Sequence, residues 1–466
     1  MESLAQDRDL LIEESTEKIL EFLEEKKYFR ARDELLKYNA ADIAEILEEV
    51  TDEKELTMTV ILFRLLPKDV AVEVFAYMSA EDQVDIISEI TEKETAFIVQ
   101  ELDFDDKIDI LEELPASLVN KILEKTPKAE RKQINTFLNY PENTAGSLMT
   151  PEFISLKKDW TVAEAMQRIR EVGMDAETIY TCYVRDVAWK LIGVVSLSTL
   201  VISDGDTKIS DIMRTEYVCE YVGADQEEVS DDFKKYGFLA MPVVDSEHRL
   251  VGIITVDDIL EVIEDEATED IERMAGVIDF DDAGREYLDI PVLQHAKNRL
   301  PWLLILMVAY VFTGMIVSSF EDALAAIPVL ITYMPMLMGT GGNCGSQAAT
   351  LIIRGLATDE VDTHDVFRIL WKEVRVGAVI GVILSAFNFA RVTLLEGQPT
   401  GIALTVCCAM IGIVVFAKVI GSMIPLAVKK INLDPALIAN PAISSVSDAV
   451  ALSIYFAMAI MILHIT

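Results

Sequence analysis

The stretch Pro335-Met336-Leu337-Met338-Gly339-Thr340-Gly341-Gly342-Asn343-Cys344-Gly345-Ser346-Gln347 closes an apolar run and carries four glycines. Irregular backbone at membrane depth is tolerated only where protein or a water-filled path surrounds it. The stretch therefore predicts a broken helix with freed carbonyls. Asn343 and Gln347 add polar groups four residues apart on one helix face. An ordinary loop, or a close helix crossing through glycine, is the competing reading. Outward from this stretch lie the apolar runs Pro301–Ser319, Ala323–Met338 (interrupted by Pro328 and Pro335), Val376–Ala390 continuing past Arg391 to Leu395, Gly401–Val428 and Ala442–Ile465. Each is read as a membrane span, for which ~20 apolar residues are needed. Basic residues set their orientation. Lys297 and Arg299 precede the first run, Arg354, Arg368, Lys372 and Arg375 separate the second from the third, and Lys429 and Lys430 separate the fourth from the fifth. The other short loops hold Glu321, Asp322 and Glu396, with Arg391 their only base. The consistent solution is five transmembrane helices in the inner (plasma) membrane, N-terminus cytoplasmic and C-terminus outside.

A second polar signal is Asn432-Leu433-Asp434-Pro435-Ala436-Leu437-Ile438-Ala439-Asn440-Pro441. Asp434 precedes a proline, so it is expected to cap the fifth span. Pro441 is expected to keep the stretch irregular, and Asp448 follows in the apolar part. Carboxylates within a membrane segment point to function. Oxygen donors suit a hard cation that keeps its water, such as Mg2+. The sequence has no His/Cys cluster for softer metals. Lys418 lies 11 residues before Lys429 inside the fourth run. Snorkelling to the cytoplasmic interface is strained over that distance, and pairing with Asp448 inside the bundle is one alternative.

The charge of −39 over 466 residues, beside a 51% hydrophobic fraction, resolves by position. From Lys297 onward there are ten acids and ten bases, so the whole excess lies in residues 1–296. The length calls for more than one domain. An acidic half repels phosphate, which disfavours nucleic acid, and it favours small cations. Residues 1–20 are charged and read as no signal peptide, so this half is expected to stay in the cytoplasm. The five cysteines show neither zinc spacing nor a disulfide framework. Cys407 and Cys408 are expected to be buried thiols. His248, His295, His364 and His464 are scattered, and no phosphate loop is present. The reading is a protein that is not an enzyme.

Residues 1–140 contain no glycine, and Leu66, Ile90 and Leu114 recur 24 residues apart, each before a breaker or cap. This predicts stacked helical hairpins in a superhelix, with an irregular bundle as the alternative. Residues 147–265 hold two similar segments. Leu148-Met149-Thr150 and Ile212-Met213-Arg214 open them 64 residues apart, and Leu191–Val195 and Leu250–Ile254 close them 59 apart. Each encloses a helix (Val162–Glu171; Glu227–Lys235) and a β-rich run (Ile179–Val184; Leu239–Val244). The pattern resembles a tandem pair of cystathionine-β-synthase (CBS) domains, regulatory modules that often hold adenosyl ligands or metal ions. The adenosyl signature is met by Thr255 and Asp258 in the second segment, whereas the first has Ser196 with Thr199 in the acid's place. Pro291 argues against one unbroken helix through the joint to the first span. Val292–Leu300 is expected to form a connecting helix.

PMLMGTGGNCGSQAATLIIRGLAT and LDPALIANPAISSVSDAVALSIYF together resemble the MgtE family of magnesium channels, and the likeness follows the whole chain in family order. It implies an acidic α-helical domain (1–140), two CBS domains (141–207 and 208–270), a connecting plug helix (271–298) and a five-span pore domain (299–466). It implies a homodimer in the lipid bilayer, with Asp434 and Asn343 at the ion and Gly341, Gly342, Gln347, Pro435 and Asn440 as pore-lining candidates. It also implies a Mg2+ sensor, carried by motif onto Glu73, Asp105, Asp109, Asp225, Glu227, Asp258, Glu261, Glu266, Glu269 and Asp270. Bound Mg2+ would close the pore, and ATP or another adenosyl ligand would sit at the CBS domains. Gly237 stands where the family often places an acid. Other function classes compatible with these residues are an ion-coupled divalent-cation carrier and a cation-sensing receptor without transport.

Overall fold

Helix caps punctuate the acidic first part. The computed structural model describes residues 2–53, 56–277, 287–288, 290–358, 360–431, 433–437 and 440–464. They form two units, 1–264 and 265–466. Unit 1 opens with α1 (Glu2–Glu24), α2 (Tyr28–Leu35), α3 (Ala40–Glu53), α4 (Leu56–Leu65) and α5 (Lys68–Ala76). It continues with α6 (Ala80–Glu89), α7 (Glu92–Glu101), α8 (Phe104–Glu113), α9 (Ala116–Lys125) and α10 (Lys128–Phe137). Pro67, Pro115 and Pro127 occupy the N-caps of α5, α9 and α10. Ser79 and Thr91 cap α6 and α7 by accepting the backbone N–H of Asp82 and Glu94. Two short helices thus fill each 24-residue period. α3 packs on α5, α4 on α6, α5 on α7 and α6 on α8, which makes a stack of hairpins. Ile46, Leu62, Phe75, Ile86 and Ile108 lie in its continuous apolar core.

The two similar segments follow. The first comprises α11 (Ala145–Leu148), β1 (Phe153–Lys157), α12 (Val162–Val172), β2 (Thr178–Arg185), β3 (Leu191–Ser196) and α13 (Leu197–Ile202). The second comprises α14 (Ile209–Ile212), β4 (Glu220–Tyr221), α15 (Gln226–Tyr236), β5 (Ala240–Val244), β6 (Leu250–Thr255) and α16 (Val256–Ala275). In each, the first strand pairs parallel with the second and the second antiparallel with the third. Each segment's opening residue pairs with the other's last strand, Thr150 with Ile253 and Arg214 with Val194. The 64- and 59-residue offsets are thus the trace of a swapped, two-fold-like pair.

Unit 2 contains the end of α16, α17 (Val292–Ser319), α18 (Glu321–Ala326) and a 3-10 turn at Pro328–Tyr333. α19 (Met334–Ala357), α20 (Val366–Ala390), α21 (Thr400–Lys430) and α22 (Asn440–Leu463) follow. Among the described residues four helical stretches are long and apolar enough to cross a membrane: α17, residues 363–395, α21 and α22. α19 has 24 residues, or ~36 Å of helix, but its glycines and amides dilute its apolar character. α21 is central, packed by α19, α20 and α22, while α17 packs on α22.

Three sequence expectations are corrected here. The glycine-rich stretch is not a break: α19 runs through it without interruption. A Cβ on Gly421 would lie 2.1 Å from the carbonyl oxygen of Gly345, so these glycines exist for a backbone-to-backbone crossing of α19 and α21. Second, Val292–Leu300 is the first part of α17 and not a separate helix. Pro291 is its N-cap, and Pro301 lies inside it. Residues 278–286 and 289 of the expected plug segment lie outside the described residues. Third, Lys418 does not pair with Asp448. Its Nζ lies 3.9 Å from Glu373 on α20, and its side chain is only 4% exposed. The snorkelling problem is met by a carboxylate within the bundle, as burial of a charge requires.

Cys407 is buried, as expected, and Cys408 is partly so. The Cys407 thiol donates to the Ser385 carbonyl (3.2 Å), and the Ser385 hydroxyl donates to the Cys407 carbonyl (2.9 Å), which ties α20 to α21. Gly421→Ala is expected to destabilise the helical unit by about 3 kcal/mol, the upper end for an overpacked site whose neighbour is backbone. Thermal unfolding of the purified full chain in detergent checks this.

Candidate functional site

The helical packing of α19 sorts its motif residues onto two faces. Gly341 and Gly342 are buried, where a Cβ would meet Ile413 at 2.9 Å and Ser444 at 3.4 Å. They serve contact with α21 and α22. Pro335, Gly339, Asn343 and Gln347 recur every four residues on the opposite, exposed face. Two amides, Asn343 and Gln347, thus lie on an exposed face of an otherwise apolar bundle.

Asp434 precedes a 3-10 turn at Pro435–Leu437, and α22 begins only at Asn440. The carboxylate therefore caps this turn and not the fifth long helix, as the sequence had suggested. Its Oδ1 accepts the N–H of Ala436 at 2.8 Å. Its Oδ2 accepts an N–H of Arg273 at 2.8 Å. Pro435 is buried. Asn440 Oδ1 is buried with no hydrogen-bond partner among the described residues. Asn432, Ile438 and Ala439 lie outside the described residues.

A second concentration of oxygen donors lies in unit 1. α8 supplies Asp105, Asp106 and Asp109, and the start of α16 supplies Asp257, Asp258 and Glu261. Desolvation and then Asp105 push Asp109 and Asp258 up to about 7. Asp106 rises to about 7 from the same causes in the same order. Asp105 rises too, chiefly through burial. The fold adds three acids that sequence reasoning missed. Carboxylate oxygens of Asp103, Glu152 and Glu177 lie within 4.8 Å of one another. Burial, then Asp103 or Asp105, raises Glu152 to about 7 and Glu177 to about 8. Asp103 was visible beside Asp105 in sequence. Glu152 and Glu177 become neighbours only because β1 and β2 pair, with Glu177 N–H donating to the Glu152 carbonyl.

The remaining sensor candidates are dispersed. Glu73 is exposed on α5. Asp225 caps α15, accepting the N–H of Glu227 at 3.0 Å, and both side chains are exposed. Glu266, Glu269 and Asp270 follow on α16, where Glu269 pairs with Arg273. Gly237 has a backbone reason to replace an acid: it closes α15 with φ +65°, a left-handed conformation that favours glycine.

The Thr255 hydroxyl donates to Asp258 at 2.7 Å, within reach of the acidic cluster. The two residues of the adenosyl signature are thus bonded to each other beside the acidic cluster. A cleft of about 1140 Å³ lies against Ser196 and Ser198 of the first segment and Gly237–Pro242 of the second. Tyr180, Tyr217 and Arg214 line it as well.

The profile described as a divalent cation transporter matches residues 334–458. The MgtE intracellular N domain matches 38–143, and the CBS domain matches 145–203 and 209–265. The magnesium transporter MgtE of Thermus thermophilus is 36% identical over 461 residues, covering 95% of this chain and 100% of that one. The chain belongs to the MgtE family. That of Bacillus subtilis is 30% identical over 429 residues, 89% of this MgtE chain and 93% of its own. A solved cytosolic domain of the Mg2+ channel MgtE in complex with ATP is 33% identical, with TM-score 0.50, over 53% of this chain and 99% of that domain. MgtE proteins are membrane transporters and not enzymes.

Proposed function

We propose that this MgtE protein is a Mg2+-selective channel that imports Mg2+ across the cell membrane and closes when Mg2+ binds its acidic cytoplasmic part. The polar face of α19 carries the reading. Asn343 and Gln347 have no place facing lipid, so they face a water-filled path. A second copy of the chain encloses that path on a two-fold axis, with α19 and α22 lining it. In this topology α19 is the second of five spans, joining the four apolar helices, and the C-terminus lies outside. The donors are oxygens, which suit a hydrated hard cation. Asp434 and Asn343 hold the ion through its water, and Gln347 and Asn440 line its approach.

The sensor comprises Asp105, Asp109, Asp258 and Glu261, with Glu73, Asp225, Glu227, Glu266, Glu269 and Asp270 as its wider acidic surroundings. Crowded carboxylates repel one another until a divalent ion lies between them. Closure follows if Mg2+ binds the closed arrangement better than the open one. The test is Mg2+ flux into liposomes containing the full chain, read with an internal dye at graded internal Mg2+. Flux that falls as internal Mg2+ reaches the millimolar range supports the reading. Flux indifferent to internal Mg2+ refutes the closure, and no flux refutes transport.

ATP or another adenosyl ligand belongs to the cleft between the two CBS segments. Tyr180 is an exposed aromatic on its wall, suited to stacking a base. Tyr180→Ala is expected to weaken ATP binding by about tenfold, the scale of one base–aromatic stack. Calorimetric titration of the full chain checks this.

A further inference from the structure

Asp434 already has a cation on it. Its Oδ1 is taken by the Ala436 N–H at 2.8 Å, and its Oδ2 by Nη1 of Arg273 at 2.8 Å. Nη2 of the same guanidinium holds Glu269. Arg273 is on the last turn of α16, the helix that also carries Glu261, Glu266 and Asp270. This end of α16 is fixed against α17. Gly276 takes φ +77°, and a Cβ there would fall 1.8 Å from the Trp302 ring. Such contact admits only glycine, so the arginine is delivered to Asp434 by a seated helix end and not by a free tail.

We propose that Arg273 is a tethered competitor for the transported ion. In this conformation its guanidinium occupies the carboxylate oxygen that a hydrated Mg2+ would use. The proposal rests on the reading of Asp434 as an ion ligand. The chemistry is a direct exchange of cations. A planar guanidinium makes directed, charge-assisted bonds to carboxylate and is never deprotonated. It cannot leave the site by diffusion, because it is part of α16. A hydrated divalent ion therefore reaches Asp434 fully only when this end of α16 withdraws. Closure is then more than a steric block, since the shut state also removes the charge that attracts the cargo. Glu269 holds the guanidinium's other edge, so the helix that bears the sensor acids also aims the competitor.

The experiment is Mg2+ uptake into liposomes bearing the full-length protein. Internal Mg2+ is varied, and each variant is scaled to its own uptake at the lowest internal Mg2+. Arg273→Gln is expected to raise the internal Mg2+ for half-closure by about fivefold, the scale of one half-exposed ion pair. Arg273→Lys keeps the charge but loses the fork that holds Asp434 and Glu269 together, and is expected to shift half-closure in the same direction but by less than Arg273→Gln. Adding Asp434→Asn to Arg273→Gln should produce no further shift, because both remove the same contact. Closure of Arg273→Gln at the wild-type concentration overturns the proposal, as does a shift in Arg273→Lys equal to that in Arg273→Gln. If instead Asp434→Ala alone transports like wild type, Asp434 is no ion ligand, and it is that underlying reading that fails.

Discussion

Asp434→Ala is expected to cut Mg2+ uptake by about a hundredfold at equal amounts of folded protein, while Asp434→Asn loses about tenfold. A hydrogen bond to a charged group is worth roughly 1.5–3 kcal/mol, and in the proposed dimer two copies would act on the same ion. The two variants separate two roles of one side chain. Oδ1 accepts the Ala436 N–H, so Asp434 also shapes the Pro435–Leu437 turn. Asparagine keeps an oxygen for that bond but loses the charge, whereas alanine loses both. Uptake is measured in liposomes, and thermal unfolding in detergent reports the turn. If Asp434→Asn transports like wild type while Asp434→Ala fails and unfolds earlier, the carboxylate is only a cap. Wild-type uptake by Asp434→Ala removes the residue from the ion path altogether.

How far the sequence led can be seen at particular residues. The caps at Pro67, Thr91 and Pro115 and the 24-residue period are local signals, and the hairpins they mark are those of α5 to α10. The paired segments were legible because their strands and helices repeat in order, and β2, β3, β5 and β6 lie within a residue or so of the expected bounds. The glycine stretch misled because glycine has two uses. It frees the backbone, and it lets two backbones approach. Nothing local tells these apart, and only the position of Gly421 against Gly345 decides for the second. Lys418 was a similar case. Its burial was evident from the apolar run around it, but its partner Glu373 lies 45 positions away in sequence, on another helix. Glu177 joined Asp103 and Glu152 through strand pairing. Arg273 at Asp434 is a contact across 161 positions that no spacing rule reaches.

Replacing Asp105, Asp109, Asp258 and Glu261 together by their amides is expected to leave transport intact and abolish its closure by Mg2+. The physical ground is the crowding at the start of α8 and α16. Asp109 and Asp258 are pushed up to about 7 by desolvation and by Asp105. The sign of the pH effect follows. A carboxyl with a raised value in the folded state prefers its proton there. Its contribution to stability is full below the ordinary carboxyl range near 4, and is lost as pH rises through about 7. Without Mg2+, the wild-type chain should therefore unfold earlier at pH 8 than at pH 5. Mg2+ displaces those protons and takes over their role, so its stabilising effect must grow with pH. At a hundredfold excess over its dissociation constant a ligand contributes about 2.7 kcal/mol. That corresponds to a rise of about 5 °C or more in Tm for a unit of this size. The expected pattern is a clear gain from Mg2+ at pH 8, a smaller one at pH 5, and none at either pH in the fourfold amide variant. In EDTA at pH 8 the variant should unfold later than wild type, because the repulsion is gone. A fourfold variant that still gains 5 °C from Mg2+ and still closes would place the sensor elsewhere. Glu73, Asp225, Glu227, Glu266 and Asp270 would then be the acids to neutralise next.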